Sequence, residues 1–370
     1  MRKVLISALL VICAFGTNAQ ESTPIVNNVK LSGYVITQYQ YSGQKDAEAN
    51  SFNLRMGRLI LDGRILDDFF WRVQLQVNGN TSTLGASPRL VDMFAEWQKY
   101  DYLRVRMGQF KIPFTFENPA HPIDQGFYNL ANSVLKLSHF SDRTGAIASN
   151  GRDVGLEVYG DFLKNNEGRT LLHYEVGVFN GQGISLKDVD QRKDIIGGLW
   201  VKPIEGLRIG VFGWEGSYAR RGTWTEGGTP QTGLRSMAKH RYAISGEYMK
   251  DDWTLRSEYI HSTGYGFTTA YNKSEDAKEA DINHAAGNKA DGFYASAIAP
   301  LVKEKLHAKA RYDLYRPQAT WGTAVNQYEV GLDYIFAKRF KIGGSYIFVN
   351  DRALAKHNYN MVDVQVSARF

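Results

Sequence analysis

The sequence predicts an all-β fold: a sixteen-stranded antiparallel transmembrane β-barrel with short periplasmic turns, long outer loops and an inward-folding third loop. Three observations carry this reading. Runs of roughly 8 to 14 residues alternate apolar and polar positions. The connections between the runs are alternately short and long along the whole chain. A basic and then apolar N-terminal segment marks the chain for export.

The alternation is clearest over 69–78. Trp71, Val73, Leu75 and Val77 share one face there, and Arg72, Gln74, Gln76 and Asn78 share the other. The segment 306–314 repeats the pattern, with Leu306, Ala308, Ala310, Tyr312 and Leu314 opposite His307, Lys309, Arg311 and Asp313. The last run sets Val362, Val364, Val366, Ala368 and Phe370 against Asp363, Gln365, Ser367 and Arg369. Sixteen such runs lie at 30–41, 54–66, 69–79, 91–100, 102–109, 152–161, 170–180, 193–203, 206–217, 236–249, 252–262, 291–300, 303–315, 325–336, 339–350 and 359–370.

Short connections fall at 67–68, 101, 165–168, 204–205, 250–251, 301–302 and 337–338. Long ones fall at 42–53, 80–90, 110–151, 181–192, 218–235, 263–290, 316–324 and 351–358. A bilayer core offers no water to backbone N–H and C=O groups, so strands cross it only as a closed barrel. A barrel with both termini on one side has an even strand number, tight turns on that side and longer loops opposite. A soluble β-sandwich would have equally amphipathic strands but gives no reason for two loop classes. Aromatic residues near the run ends, among them Phe69, Trp97, Tyr100, Tyr102, Trp253 and Phe340, suit the two interfacial girdles of a membrane barrel.

The longest apolar run, 4–15, has 12 residues, whereas a membrane-spanning helix needs about 20. A helical membrane protein is therefore excluded. Arg2 and Lys3 precede that run, and Thr17-Asn18-Ala19 follows it as a small-residue cleavage site. The expected organisation is a signal peptide at 1–19 and one outer-membrane β-barrel domain at 20–370. Cys13, the only cysteine, lies inside the leader, so the mature chain has neither thiol nor disulfide. Losing Arg2 and Lys3 takes the net charge from +6 to +4. The place of work is the outer membrane of a Gram-negative-type bacterium.

No G-x-S-x-G, H-E-x-x-H, Walker or C-x-x-C motif occurs, and the 8 histidines are scattered. No enzyme activity, cofactor, metal or nucleic-acid partner is expected. The chemistry lies on the polar face of the strands. The second, third and fifth runs contribute Arg58, Arg64, Arg72, Arg104 and Arg106 against Asp62 alone. Guanidinium groups present fixed forks to oxyanions, and a ring of them in a constriction favours anions. The stretch 110–151 adds Lys111, Lys136 and Arg143. Its Phe127, Leu130, Val134 and Leu137 recur at helical spacing, which predicts a short helix packed on an apolar surface. Folded inward, this stretch narrows the lumen; folded outward, it is a lid or a subunit contact. The candidate anion-binding and pore-lining residues are thus Arg58, Arg72, Arg104, Arg106, Lys111, Lys136 and Arg143. Two other readings of the same barrel are a hydrolase, with Ser, His and carboxylate converging on one rim, and a closed structural or adhesive barrel without a channel.

Four segments resemble one family: RLILDGR at 58–64, RVRMGQFKIPF at 104–114, FNGQG at 179–183 and ARYD at 310–313. In order and spacing, 30–370 is similar to the phosphate-selective porin O and P family. That resemblance implies a sixteen-stranded outer-membrane barrel, a homotrimer set in outer-membrane lipid, an inward third loop and passive uptake of small, phosphate-like anions. Here the basic set is diluted by carboxylates.

N-terminal sequencing of protein taken from the outer membrane should return Gln20 as the first residue. An intact Met1 would contradict the leader assignment.

Overall fold

The computed structural model describes residues 26–78, 88–141, 143, 148–267, 284–285, 287–337 and 339–370. The expected signal peptide, with Cys13, lies outside them. The first eight barrel strands are β1 (Val26–Ser42), β2 (Ala49–Ile65), β3 (Phe69–Val77), β4 (Arg89–Tyr100), β5 (Leu103–Lys111), β6 (Arg152–Lys164), β7 (Thr170–Phe179) and β8 (Asp194–Val201). The remaining eight are β9 (Leu207–Glu226), β10 (Thr229–Lys250), β11 (Trp253–Thr263), β12 (Lys289–Val302), β13 (Leu306–Arg316), β14 (Val325–Ala337), β15 (Phe340–Asp351) and β16 (Asn358–Arg369). Each pairs antiparallel with its chain neighbours, and β16 closes the barrel on β1. All sixteen expected strands are present.

The seam closes at the C-terminus. Phe370 and Gly33 exchange both backbone hydrogen bonds at 3.0 Å. A Cβ on Gly33 would come within 2.6 Å of the Phe370 ring and 2.2 Å of the Arg58 carbonyl. Glycine at 33 therefore lets the terminal ring lie flat across the seam.

Burial is inverted relative to a soluble protein. On β3, Gln74 and Gln76 are fully enclosed while Leu75 and Val77 face outward. On β14, Glu329 and Asp333 are enclosed while Tyr328, Val330, Leu332, Tyr334 and Phe336 are exposed. The apolar parity read from the sequence is thus the outward, lipid-facing one. Inward polar groups satisfy each other across neighbouring strands, as in Lys309 Nζ to Asp333 (2.8 Å) and Arg311 to Glu329 (2.8 Å).

Two connections differ from the sequence reading. The expected long loop at 218–235 continues the ladder instead, and the chain reverses only at Gly227-Gly228. Both glycines have positive φ (56° and 83°), as a tight hairpin turn requires. At about 3.3 Å per residue and a tilt of about 45°, the 22-residue β10 rises about 50 Å. An apolar band is about 25 Å tall, so this hairpin stands well clear of the membrane. The turn expected at 301–302 lies at 303–305, because β12 runs through an irregularity at Pro300 to Val302.

Gln74, on the polar face of 69–78 in the sequence, is not an open lumen position. The structure encloses it completely beside Arg58 and Asp92, so an added cation there meets Arg58. β16 offers a cleaner pair. Val364 faces outward near mid-strand, and Gln365 faces a lumen space that Asp333 and Asp363 also line. Val364→Arg should cost about 2–4 kcal/mol, whereas Gln365→Arg should fold nearly as wild type. Denaturant titration in lipid vesicles checks this, and equal damage at both positions would contradict the register.

Candidate pore constriction

The long connection after β5 folds into the barrel. Pro113 ends the ladder, and Thr115 turns the chain with φ of 67°. The alternating Ile112, Phe114 and Phe116 are enclosed. Phe114 packs on Trp214 (centroids 5.5 Å apart), and Phe116 on Trp200 and Phe212 (5.5 and 5.3 Å). The predicted helix is present as α1 (Asn132–Leu137), shorter than its apolar spacing suggests, and it packs on β11, β12 and β13. Leu130, Ala131, Val134 and Leu137 join inward side chains such as Ile260, Ala290 and Tyr294 in one apolar cluster. The lumen beside β7 to β13 is therefore filled with packed side chains.

Wall charges hold this segment by its backbone. Glu258 accepts from Phe116 N (2.8 Å) and Glu117 N (2.9 Å), and Asp313 accepts from Asn132 N (2.7 Å). Glu117 itself accepts from Ala131 N (3.1 Å), and burial pushes its carboxyl up despite the nearby Arg311 and Arg256. In the opposite sense, Arg241 donates to Leu137 O (2.7 Å), Arg311 to Asn129 O (2.7 Å) and Lys309 to Gly126 O (3.0 Å). Charge-assisted bonds of this kind are roughly twice as strong as neutral ones.

Cavities remain on the other side, between residues 121–129 and the strands β1–β3 and β13–β16. Behind the lining of these cavities Arg58, Lys111 and Arg152 come together, with both arginines enclosed. Arg58 Nε donates to Gln76 Oε1 (2.9 Å). Arg152 forms a two-pronged pair with Asp92 (2.5 and 3.1 Å). Lys111 Nζ lies 3.4 Å from Asn118 Oδ1 and 4.8 Å from the centre of the Phe140 ring. Turned with its oxygen toward the guanidinium groups, the Asn150 carboxamide accepts from Arg58 (2.7 Å) and Arg152 (3.0 Å). Among the described residues, Asp92 is the one carboxylate ion-paired within this group of three cations. His121 senses the same field: burial, then Arg58 and Arg152, pushes its imidazolium down to about 3.

The other residues singled out from the sequence lie elsewhere. Arg72 is paired two-pronged with Asp62 (2.7 and 3.1 Å). Arg106 sits between Glu96 (2.5 Å) and Glu157 (3.3 Å), over the rings of Phe94, Phe110 and Tyr159. Arg104 lies near the short-turn end, 3.3 Å from Asp101 and 3.8 Å from Asp161. Lys136 is half-buried on α1. Arg143 is a fastener: it donates to the carbonyls of Gly264, Gly287, Lys289 and Pro317, joining the end of the inward segment to the outer connections. Of the seven, the structure thus brings Arg58 and Lys111 together. Arg152 was missed. It is the direct cross-strand partner of Lys111, and two like charges in that register need a counter-ion or a shared ligand.

Residues 29–180 match the family described as phosphate-selective porin O and P. The ARYD segment at 310–313 falls outside that match. No curated protein matches the chain. Among solved structures, the fold is similar to the anion-selective porin from Comamonas acidovorans (13% identity, TM-score 0.65, 93% of this chain and 99% of that one). It is also similar to the outer membrane channel DcaP of Acinetobacter baumannii (12%, 0.60, 95% and 99%). A third is the trimer form of OmpT, an outer membrane protein of Vibrio cholerae (12%, 0.58, 93% and 99%). At such identities the likeness establishes the fold. With the closed sixteen-stranded barrel and the match over residues 29–180, the resemblance to the phosphate-selective porin O and P family read from the sequence is borne out over that stretch, on a barrel that resembles outer-membrane porins.

Proposed function

We propose that this porin passes small hydrophilic solutes by passive diffusion and prefers anions, including phosphate-like ones. The supporting observation is the cluster of Arg58, Lys111 and Arg152 around Asp92. With Asp92 taken by Arg152, the group carries two positive charges in surplus. In a narrow, partly desolvated passage such charges act more strongly on a passing ion than in bulk water. Arg72, Arg104 and Arg106 are each matched by carboxylates and contribute less. The family match over residues 29–180 and the trimer form described for the Vibrio cholerae protein support a homotrimer in outer-membrane lipid. In the same reading, residues 1–19 are removed on export and 20–370 form the single barrel domain.

At about 7 Å through an effective dielectric of about 40, one charge is worth about 1 kcal/mol to a monovalent ion, about a fivefold change in preference. Arg58→Gln and Lys111→Gln should each lower the chloride-to-potassium permeability ratio by about that factor in bilayer reversal-potential measurements. The loss should be larger at low salt, where screening is weak. Arg104→Gln should change the ratio little. An equal shift in the Arg104 variant, or none in the other two, would refute the assignment.

A further inference from the structure

The inward segment meets both sides of the lumen, but by different means. On the β13 side its backbone is fastened. Lys309 donates to Gly126 O (3.0 Å) and Arg311 to Asn129 O (2.7 Å). The buried Phe127 ring faces the same strand, its centre 4.7 Å from the Arg311 guanidinium carbon. Tyr128, the next residue, reaches the opposite wall. Its hydroxyl accepts from Gln38 Nε2 on β1, and its ring centre lies 4.1 Å from the Arg55 guanidinium on β2. One half-buried side chain thus bridges the fastened segment and the facing strands.

That bridge stands between two cavities. One, of about 20 Å³, lies against β13–β16, where Lys309, Asp333, Ser345, Asp363 and Gln365 line it. The other, of about 200 Å³, lies against the long-loop ends of β2 and β3, where Arg55, Gln76 and Asn78 line it. In the closed barrel β1 separates these two arcs, and β1 is where the Tyr128 hydroxyl lands. Among the described residues, Tyr128 and Pro122 alone line both cavities. Toward the short turns the larger cavity is closed by packed side chains. Arg58 follows Arg55 along β2 and is 1% exposed, enclosed with Gln74 and Arg152. The boundary that can yield is therefore the one at Tyr128.

We infer that Tyr128 sets the size limit of the passage: its ring is the partition that a solute displaces in moving between the two cavities. A tyrosine ring swings about its side-chain bonds between staggered positions, so no backbone has to move. The main chain at Gly126 and Asn129 stays fastened to β13 while the ring turns. One neutral hydrogen bond and one cation–π contact hold it, and both are modest interactions. Pro122, the other shared residue, has its ring locked into the main chain and lacks this freedom. The inference rests on the diffusion-channel reading above and adds the residue that limits what passes.

Single-channel recording in potassium chloride and liposome swelling test it, with folding of each variant checked by heat-modifiable migration. Tyr128→Ala should raise the conductance about twofold or more, because conductance follows pore diameter. Raffinose should then enter liposomes at several times the wild-type rate, with a smaller gain for arabinose. Tyr128→Phe keeps the ring and should stay near wild type, as should Asn129→Ala, which lines the larger cavity alone. Tyr128→Cys gives an independent route, since residues 20–370 contain no other thiol. It should conduct like the alanine variant, and benzyl methanethiosulfonate, by adding a ring back, should return the conductance toward wild type. Wild-type conductance in both small-residue variants, or an equal rise in Asn129→Ala, would overturn the assignment. Loss of folding in both would overturn it too, since Tyr128 would then be a strut. A wild-type protein that passes neither ions nor arabinose would instead defeat the channel reading itself.

Discussion

Everything in this molecule depends on the backbone being hydrogen-bonded where no water can reach it. That demand forbids an open sheet edge inside a membrane. It is met when β16 returns to β1 and Phe370 pairs with Gly33 across the seam. Closure then fixes the rest of the pattern. With a period of two along each strand, one parity must face lipid and the other the lumen. Leucine, valine and tyrosine are exposed, and glutamine, arginine and glutamate are enclosed.

The enclosed charges have a second use beyond pairing with each other. The inward segment is long and mostly irregular, so its N–H and C=O groups need partners inside the barrel. Glu258 and Asp313 supply acceptors, and Arg241, Arg311 and Lys309 supply donors. Phe114, Phe116 and the apolar face of α1 then bury against inward aromatic and aliphatic side chains. One side of the lumen becomes a packed core, and the polar cavities are pushed to the other, against β1–β3 and β13–β16. A wall that reads as uniformly mixed charge is thus functionally asymmetric, because the segment covers one arc and leaves the other wet.

The barrel was legible because its signals are local. Alternation in 69–78 or 325–336 and the short turns at 67–68 and 250–251 are set by neighbouring residues. The 218–235 hairpin was missed although Gly227-Gly228 is a strong turn signal, since length alone made the stretch look like a loop. The site was less legible, because it depends on contacts between residues far apart in sequence. Parity places Arg106 on the lumen wall correctly, but Glu96 and Glu157 neutralise it from adjacent strands. Arg143 looks like a loop cation, yet four distant carbonyls occupy it. Arg152 was overlooked although its run was read as starting at 152, because the preceding run was ended at 109, which left Lys111 in the loop and hid its cross-strand partner. Its pairing with Lys111 becomes visible only when the two strands are aligned.

The contrast between Arg106 and Arg58 shows how one residue type is assigned two tasks. Arg106 lies on β5 between two carboxylates and over three aromatic rings. Its charge is spent locally, and removing it would strand Glu96 and Glu157 in an enclosed wall, a costly outcome for buried pairs. Arg58 is more deeply enclosed, and its partners are neutral amides, Gln76 and Asn150. Amide oxygens satisfy the guanidinium donors without cancelling the charge. Asp92 sets the balance. It anchors Arg152, whose charge would otherwise oppose Lys111 directly across the strands, and it leaves the other two cations uncompensated. A second carboxylate here would make another Arg106. With none, three cations would repel one another around Lys111. One carboxylate for three cations lets this enclosed part of the wall fold with a net positive charge.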